Sequence, residues 1–300
     1  MKVRQVNLNF FYGYRCNYSC YGCFSGSDAI TSQDRDPSLE QLMHAIPLAA
    51  DLFEIESMIT LIGGEPFLYW DDRIVPLSLA INQHFPNIRI NITTNGHLIG
   101  KNLNKIFEIA EMVDNVSITV TRHLRAVDHK VRTIWHAGID SLINHQDIVK
   151  IHDDHYHIKN NINANIYFHD IIDWKSYYYR DSNNRIKPWK TNDPSGSMKY
   201  GCTGNVCSTI IENRLYKCPN LATLSNHLAE LGQQDDPDWR KYIDYPFVDL
   251  EHIDPERWSD FIKSYGLPTD HCDMCSNKTQ LNMPWTDRTY QMVFAGRNRL

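Results

Sequence analysis

The sequence predicts an α/β fold built on a parallel sheet, either a parallel barrel or part of one. Apolar runs that fit strands alternate with stretches of helical periodicity over residues 6–120. Strands separated by helices pair in parallel through right-handed crossovers. Polar and glycine-containing motifs follow these strands directly, which is where parallel α/β folds gather their chemistry, so the motifs are expected to share one site.

Each predicted element has its own signal. Residues 6–11 are a first apolar strand. A helix begins near Ser38, where Ser-Leu-Glu-Gln offers a capping box and apolar residues recur at helical spacing, although Pro47 should kink or interrupt it. Residues 58–62 form a short apolar run that ends at two glycines, which fits a buried strand. The later predicted elements are a helix at residues 76–84, a strand at 88–93, a helix at 103–112, a strand at 116–120, and weaker strands at 148–151 and 162–168.

Composition is that of an ordinary soluble globular protein. The 300 residues are 42% hydrophobic and 22% charged, enough for a substantial core in one large domain or two. A formal charge of -6 argues against a nucleic-acid partner, because phosphate contacts need clustered Lys and Arg. No signal region and no run of ~18 apolar residues is present, so we expect no membrane association and a cytoplasmic location.

The eight cysteines are grouped rather than scattered, which favours metal or redox chemistry over disulfides. Cys16, Cys20 and Cys23 follow the first strand, separated by three and then two residues. Three thiolates on one short loop can hold three irons of a cubane cluster and leave the fourth iron without a protein ligand. A zinc site is the alternative, but no His or Cys lies between Cys23 and Ser38 to complete it.

This spacing resembles the cluster loop of the radical SAM superfamily, whose free iron is chelated by the methionine end of S-adenosylmethionine. Gly63, Gly64, Glu65 and Pro66, at the end of the second strand, resemble the GGEP element of the family, which binds the amino group of that methionine moiety. An ammonium needs acceptors, and paired glycines let backbone pass close to a ligand. The resemblance implies a [4Fe-4S] cluster and S-adenosylmethionine as cofactors.

The same resemblance implies further contacts to S-adenosylmethionine. Thr94, Asn95 and Thr119 stand where the superfamily places contacts to the ribose and the methionine carboxylate, and simple strand-end caps are an equal alternative. Arg132 corresponds to an arginine of the family that pairs with the carboxylate, and a solvated helix charge is the alternative.

The residue before the third cysteine departs from the family pattern. Family members carry an aromatic residue there that contacts the adenine, whereas this chain has Gly22. Tyr21 or Phe24 would have to supply that contact.

The second cysteine group resembles the auxiliary-cluster hairpin of SPASM and twitch domains. Cys202 precedes a hairpin-like segment that Cys218 closes just before a proline, and Cys272 and Cys275 would supply two further ligands. Four thiolates can saturate a second [4Fe-4S] cluster, although a four-cysteine zinc site is the alternative. Cys207 is left over: it matches the hydrogen-donating cysteine of radical SAM peptide epimerases, or is a small buried structural residue.

A full SPASM domain would have two more cysteines, at places that fall on Leu281 and Trp285, so the shorter twitch form fits better. Two other stretches are less specific. Residues 152–157 carry three histidines, which a solvated loop explains with fewer assumptions than a metal site. Residues 177–179 are three tyrosines that either line a substrate cleft or pack between domains.

Together these features are identified with a radical SAM enzyme: a partial (βα)6 TIM-like barrel over residues 1–199 and a small twitch-type auxiliary-cluster domain over residues 200–300. The resemblance implies reductive cleavage of S-adenosylmethionine to a 5′-deoxyadenosyl radical, which abstracts hydrogen from an unactivated carbon. The expected substrate is a peptide or natural product that is oxidised, epimerised or crosslinked. The alternatives are a dehydrogenase of a small polyol or aminocyclitol and, without enzyme activity, a zinc-binding scaffold. The expected electron donor is of the flavodoxin or ferredoxin type.

Overall fold

The computed structural model describes residues 2–20, 22–27, 29–30, 33–122, 129–159, 161–170, 176–199, 202 and 207–277. In chain order its main elements are β1 (Val3–Phe11), α1 (Leu39–Leu52), β2 (Phe53–Ile62), α2 (Val75–His84), β3 (Arg89–Thr94), α3 (Leu103–Met112), β4 (Val116–Arg122), α4 (His129–Ile143), β5 (Ile148–His152), β6 (His155–Ile158), β7 (Asn161–Asp170), β8 (Tyr178–Arg180), β9 (Ile186–Pro188), α5 (Pro194–Lys199), β10 (Cys207–Ile211), β11 (Arg214–Tyr216), α6 (Pro219–Glu230), α7 (Arg240–Ile243), β12 (Val248–Asp249) and α8 (Pro255–Ser264).

One large sheet has the strand order β12-β11-β10-β1-β2-β3-β4-β7-β6-β5. Its central neighbours, from β10 through β1, β2, β3 and β4 to β7, all pair in parallel. The predicted parallel α/β fold is therefore confirmed. The outer strands pair antiparallel, and β12 and β5 end the sheet on opposite sides, so it is an open sheet, as expected of a partial barrel.

The regular alternation of strand and helix ends after α4. The next two strands, β5 and β6, form an antiparallel hairpin before the chain returns to the parallel direction in β7. The two weaker strands predicted at residues 148–151 and 162–168 are therefore present, and β6 lies between them where a loop was predicted. The hairpin extends the sheet on the side of β7.

Helix α1 begins where the capping signal predicts. Ser38 is its N-cap, and the Gln41 amide donates to Ser38 Oγ at 3.4 Å. The expected interruption at Pro47 does not occur: the helix continues to Leu52. Ile46 and Ala49, on either side of the proline, are fully buried. Packing of this face offsets the backbone hydrogen bond that proline removes. No helix within the described ranges is both long and apolar enough to cross a membrane.

The two faces of the sheet differ in chemistry. In β4, Val116, Ile118 and Val120 are buried in the main apolar core, which also holds the inner faces of α1 to α4. Ser117 and Thr119 alternate with them and therefore lie on the opposite face. The helices cover one face of the sheet, and the other face is free to carry polar groups.

A row of polar side chains crosses this second face. We call it the polar row: strand registers place its members side by side on seven strands, namely Thr209, Asn9, Thr60, Asn91, Ser117, Asn165 and His157. Two hydrogen bonds link its members, from Asn9 Nδ2 to Thr209 Oγ1 at 3.3 Å and from Ser117 Oγ to Asn91 Oδ1 at 2.9 Å. Hydrogen-bonding groups therefore cross this face next to the apolar cluster that contains Phe11, Ile62 and Ile211.

The C-terminal region has an apolar cluster of its own, which includes Tyr177, Tyr178, Leu224 and Trp239. Strand β10 nevertheless pairs directly with β1, so this region shares the main sheet. The division into domains at residues 199 and 200 stays a prediction.

Candidate active site

The three cysteines of the first motif lie on a loop that leaves the carboxyl end of β1. Cys16, Cys20 and Cys23 are each half-buried. Polar groups face two of the sulfurs, since Asn95 Nδ2 lies 3.8 Å from Cys16 Sγ and Ser25 Oγ lies 3.0 Å from Cys23 Sγ. Hydrogen bonds to sulfur are one of the means by which proteins tune iron–sulfur clusters.

The distances between sulfurs bear on the choice between zinc and iron. No three cysteine sulfurs in the described part of the chain lie within 4.8 Å of one another. A tetrahedral zinc site with Zn–S bonds of ~2.3 Å would hold its sulfurs about 3.8 Å apart. A four-iron cluster binds each thiolate through a different iron and so spaces the sulfurs more widely. The three thiolates are a donor set suited to a four-iron cluster, and their spacing is wider than that of a closed zinc site.

The two glycines of the GGEP loop lie against the backbone that leads into the cysteine loop. The Gly64 amide donates to the Gly13 carbonyl at 2.9 Å, and the Glu65 amide donates to the Arg15 carbonyl at 3.0 Å. A Cβ on Gly64 would stand 1.9 Å from the Arg15 carbonyl oxygen, and one on Gly63 would stand 2.6 Å from the Gly13 oxygen. Glycine is required here because two backbone segments touch.

Glu65 joins this loop to the end of β3. Its side chain is buried, and its oxygens accept hydrogen bonds from Thr94 Oγ1 at 2.6 Å, from the Asn95 amide at 3.0 Å and from the Phe67 amide at 3.5 Å. Burial raises the pKa of Glu65 to about 7, and the three donors oppose that rise. The carboxylate lies where the GGEP loop, β3 and the cysteine loop meet.

Glu65 should give the apo protein a distinctive pH dependence. The folded state binds the Glu65 proton more tightly than the unfolded state, because the pKa rises from 4.5 to about 7 on folding. This group therefore makes the free energy of unfolding fall as the pH rises from 5 to 7.5, by roughly 2 kcal/mol. Urea unfolding of wild type and Glu65→Gln across that range measures it. Equal slopes in the two proteins would show that Glu65 titrates normally.

Thr94 and Asn95 lie together beside Glu65, whereas Thr119 lies on the next strand and contacts Asn91. Thr94 and Asn95 contact Glu65, and Asn95 also donates to Asn17 Oδ1 at 2.8 Å. Thr119 Oγ1 donates to Asn91 Oδ1 at 2.7 Å and faces the polar side of the sheet. These contacts satisfy the strand ends, and a direct role of the three residues toward S-adenosylmethionine stays a prediction.

Three other residues were predicted to contact S-adenosylmethionine: Arg132, Phe24 and Tyr21. Arg132 is exposed on α4, and its pairing with the carboxylate of S-adenosylmethionine stays a prediction. Phe24 is half-buried, with its ring edge-on to Phe11 at a centroid distance of 6.3 Å. Tyr21 lies outside the described residues, so neither choice for the adenine contact is decided.

Tyr69 and Asp36, which no sequence motif indicated, hold the backbone that leads into the cysteine loop. The Arg15 amide donates to Tyr69 Oη at 2.6 Å, and Tyr69 Oη donates to Asp36 Oδ2 at 2.8 Å. Asp36 Oδ1 also accepts from the Tyr14 amide at 2.7 Å. Because these contacts join distant positions of the chain, no local pattern could have indicated them.

The second cysteine set is brought together at the start of α6. Cys218 is the N-cap of this helix, and burial raises its pKa, with further increases from nearby Cys275, Cys202 and Cys272. Asn220 Nδ2 lies 3.5 Å from Cys275 Sγ. The fold thus assembles the four predicted ligands around one point, and the metal they bind stays a prediction.

Cys207 lies apart from the edge of the sheet where the first motif gathers. It is the first residue of β10 and stands opposite Asn7, four residues before the end of β1, which is about 13 Å along the strand. Burial raises the pKa of its thiol, the Asn7 side chain lowers it, and nearby Cys202 raises it. A role as a hydrogen donor stays a prediction.

Helix α6 connects the two cysteine sets. It begins after Cys218, and one turn later Thr223 Oγ1 donates to the Phe24 carbonyl, on the residue that follows Cys23. Further along, Asn226 Nδ2 donates to Tyr14 Oη at 2.9 Å. The side chains of one helix therefore contact residues on either side of the first cysteine loop, the Phe24 carbonyl and the Tyr14 hydroxyl.

Two further residues, Tyr178 and His227, contact the loop close to Cys23. The Gly22 amide donates to Tyr178 Oη at 2.8 Å. Gly26 has a φ of +61°, and a Cβ there would stand 2.8 Å from the His227 ring. The C-terminal region thus sets the conformation of the first cysteine loop.

Removal of the Thr223 hydroxyl should loosen the first loop. Thr223 is fully buried, so Thr223→Val leaves the Phe24 carbonyl without its donor and should lower the free energy of unfolding by about 1–3 kcal/mol. Hydrogen exchange across residues 22–27 should accelerate in the same variant. Thr223→Ser keeps the hydroxyl and serves as the matched control. Equal exchange in the two variants would contradict the assigned hydrogen bond.

The radical SAM superfamily profile matches residues 10–139, which contain the cysteine loop, the GGEP loop and the ends of β3 and β4. Residues 10–139 therefore match the radical SAM superfamily. Members of this superfamily are enzymes that use a [4Fe-4S] cluster and S-adenosylmethionine.

Among solved structures, this chain is similar to one described as native anSMEcpe with bound AdoMet and Cp18Cys peptide. The identity is 14%, the likeness covers 96% of each chain, and the TM-score is 0.43. A likeness this distant transfers neither a substrate nor a residue's role. No curated protein matches the chain.

Proposed function

We propose that this protein is a radical SAM enzyme that abstracts hydrogen from an unactivated carbon of a peptide or natural-product substrate, which it oxidises, epimerises or crosslinks. One observation carries the proposal. The cysteine loop, the GGEP loop and the end of β3 meet at one edge of the sheet, joined through Glu65 and Asn95. These are the parts that a cluster and S-adenosylmethionine would need side by side.

The residues of this edge have separate tasks. Cys16, Cys20 and Cys23 would hold the [4Fe-4S] cluster, and the cluster and S-adenosylmethionine, when bound, supply reductive cleavage and hydrogen abstraction. Glu65 would receive the ammonium of S-adenosylmethionine, because its three hydrogen bonds leave about one of some four acceptor sites unused. Asn95 would orient the loop from the other side through Cys16.

The second cysteine set would hold an auxiliary [4Fe-4S] cluster through Cys202, Cys218, Cys272 and Cys275. Four protein ligands leave no iron open to substrate, so this site serves electron transfer or structure. An acceptor for the electron that remains after hydrogen abstraction favours net oxidation. The proposal includes a twitch-type rather than a SPASM domain, because Leu281 and Trp285 stand where a full SPASM domain has two further cysteines.

A second candidate is the dehydrogenation of a small polyol or aminocyclitol. The polar row supports it, because buried amide and hydroxyl side chains such as Asn9, Asn91 and Ser117 line the face of the sheet opposite the helices. A substrate rich in hydroxyl groups would find both donors and acceptors there.

Anaerobic reconstitution tests the proposal. Full-length protein should bind about eight irons per chain, absorb as a brown protein, and release 5′-deoxyadenosine from S-adenosylmethionine after reduction. Colourless protein that takes up zinc and forms no 5′-deoxyadenosine would support the zinc scaffold and overturn the proposal. Product analysis with candidate peptides and polyols then separates the two enzyme functions, and flavodoxin or ferredoxin serves as the test electron donor.

A further inference from the structure

Lys217 is a buried lysine next to the second cysteine set. It lies between β11 and α6, directly before Cys218, and only 2% of its surface is exposed. Its Nζ donates hydrogen bonds to the Ser264 carbonyl at 2.9 Å and to the Leu267 carbonyl. Both acceptors are neutral, so they do not balance the positive charge of the ammonium. Because a buried charge is costly unless it is paired, its surroundings are expected to supply negative charge.

Cysteines of the second set lie near this ammonium. Burial lowers the pKa of Lys217, and nearby Cys272, Cys218 and Cys202 oppose that change by raising it. A thiol that binds a metal ion is deprotonated. Loading of the site would therefore bring several thiolates, each with a negative charge, close to Lys217.

A carboxylate within the cysteine motif already has partners of its own. Asp273 follows Cys272 in the chain and accepts hydrogen bonds from Lys241 Nζ at 3.0 Å and from Tyr242 Oη at 2.8 Å. Its charge is therefore paired within that group. The cysteine sulfurs, once they bind a metal, are the anions suited to balance Lys217.

Hydrogen bonds to the sulfurs act in the same direction as this positive charge. The Thr269 amide donates to Cys272 Sγ at 3.4 Å, and Asn220 Nδ2 lies 3.5 Å from Cys275 Sγ. Donors to sulfur and a nearby cation both stabilise the form of an iron–sulfur cluster that carries more negative charge. The surroundings of the second set thus favour a reduced cluster.

We propose that Lys217 raises the reduction potential of the auxiliary cluster by stabilising its reduced form. On reduction such a cluster takes up one electron and gains one negative charge, and no bond forms or breaks. A buried ammonium interacts with that added charge more strongly than a lysine in water would, because water and salt do not screen it. The inference rests on the proposed function, since it concerns the auxiliary cluster proposed there, and it holds for a peptide and for a polyol substrate alike.

Redox titration of the full-length chain with dithionite, followed by electron paramagnetic resonance, tests this role. Each protein also carries Cys20→Ala, which removes a ligand of the first cluster, so the signal comes from the auxiliary cluster. Lys217→Met should shift the equilibrium about tenfold or more toward the oxidised form, which is a fall of about 59 mV or more for one electron. Lys217→Arg keeps the charge and should restore the potential to within about threefold of the starting equilibrium.

Lys263→Met is the matched control. Lys263 lies in α8 directly before Ser264, and 74% of its side chain is exposed, so water and salt screen its charge. Its removal should leave the potential unchanged. Equal potentials with and without Lys217→Met would overturn the proposal, and so would a shift that Lys217→Arg reproduces.

Iron analysis of the same samples separates the other outcomes. Lys217→Gln, which keeps a neutral donor, gives a second measure should Lys217→Met lose iron. Loss of the auxiliary irons from both variants would overturn the proposal, because Lys217 would then hold the site together rather than set its potential. If Cys20→Ala alone binds no iron, the auxiliary cluster of the proposed function is itself refuted. About four irons with an unchanged potential refute only the role of Lys217.

Discussion

Cys20→Ala should abolish cleavage of S-adenosylmethionine, whereas Cys275→Ala should leave it measurable. Each variant removes one ligand from one cysteine set, so each is expected to lose about four of some eight irons after anaerobic reconstitution. Of the two proposed ligand sets, only the first, with three cysteines, leaves an iron open to the cofactor. Formation of 5′-deoxyadenosine should therefore fall to background in Cys20→Ala, a loss of several orders of magnitude, and persist in Cys275→Ala.

Iron analysis, visible absorption and a 5′-deoxyadenosine assay on the same samples check this result. Cys207→Ala is the matched control, because it removes a half-buried cysteine that belongs to neither proposed ligand set. It should keep both the iron and the background cleavage. Full iron content in Cys20→Ala, or loss of iron in Cys207→Ala, would show that the ligand sets are wrongly assigned.

Gly64→Ala should have the next largest effect. The new Cβ would stand 1.9 Å from the Arg15 carbonyl oxygen and 3.0 Å from that of Tyr14. Both neighbours are backbone atoms, so no side chain can move aside, and the GGEP loop must separate from the cysteine loop. We expect a loss of about 3 kcal/mol or more in the free energy of unfolding, at the upper end for overpacked sites. The variant should also fail to retain iron at the first set.

Gly232→Ala is the control for the glycine-to-alanine change itself. Its Cβ would meet no atom within 4 Å, and only its φ of +62° opposes the substitution, which costs about 1 kcal/mol. Urea unfolding and iron content of the two variants should differ clearly. An equal loss in the free energy of unfolding for the two variants would contradict this prediction, because it would show that the backbone accommodates a Cβ at Gly64 easily.

Local signals predicted the elements that hold the candidate site. The apolar runs predicted β1, β2, β3 and β4, and the capping signal at Ser38 placed the start of α1. The alternation of strand and helix then predicted parallel pairing, and with it the meeting of strand ends at one edge. Each of these signals is local, because it depends on residues close together in the chain, and it can therefore be recognised without knowledge of the fold.

Other features depend on contacts between distant positions. The pairing of β10 with β1 joins Cys207 to Asn7, and no local pattern selects that partner. Strand β6 was missed because His155 to His157 are polar, and only a sheet that presents a polar face makes them strand residues. The glycines of the GGEP loop were recognised, but their close contact with the backbone before Cys16 was not predicted.

Helix α6 has a consequence for how the enzyme would respond to air. Cys218 is its N-cap, and side chains of its later turns donate hydrogen bonds to Phe24 and Tyr14. These two residues lie on either side of the loop that carries Cys16, Cys20 and Cys23. If oxygen destroyed the auxiliary cluster that we propose, the start of the helix would lose its anchor, and its contacts with the first cysteine loop would weaken. Oxidative damage would then spread from one centre to the other, and the two would be lost together rather than one at a time.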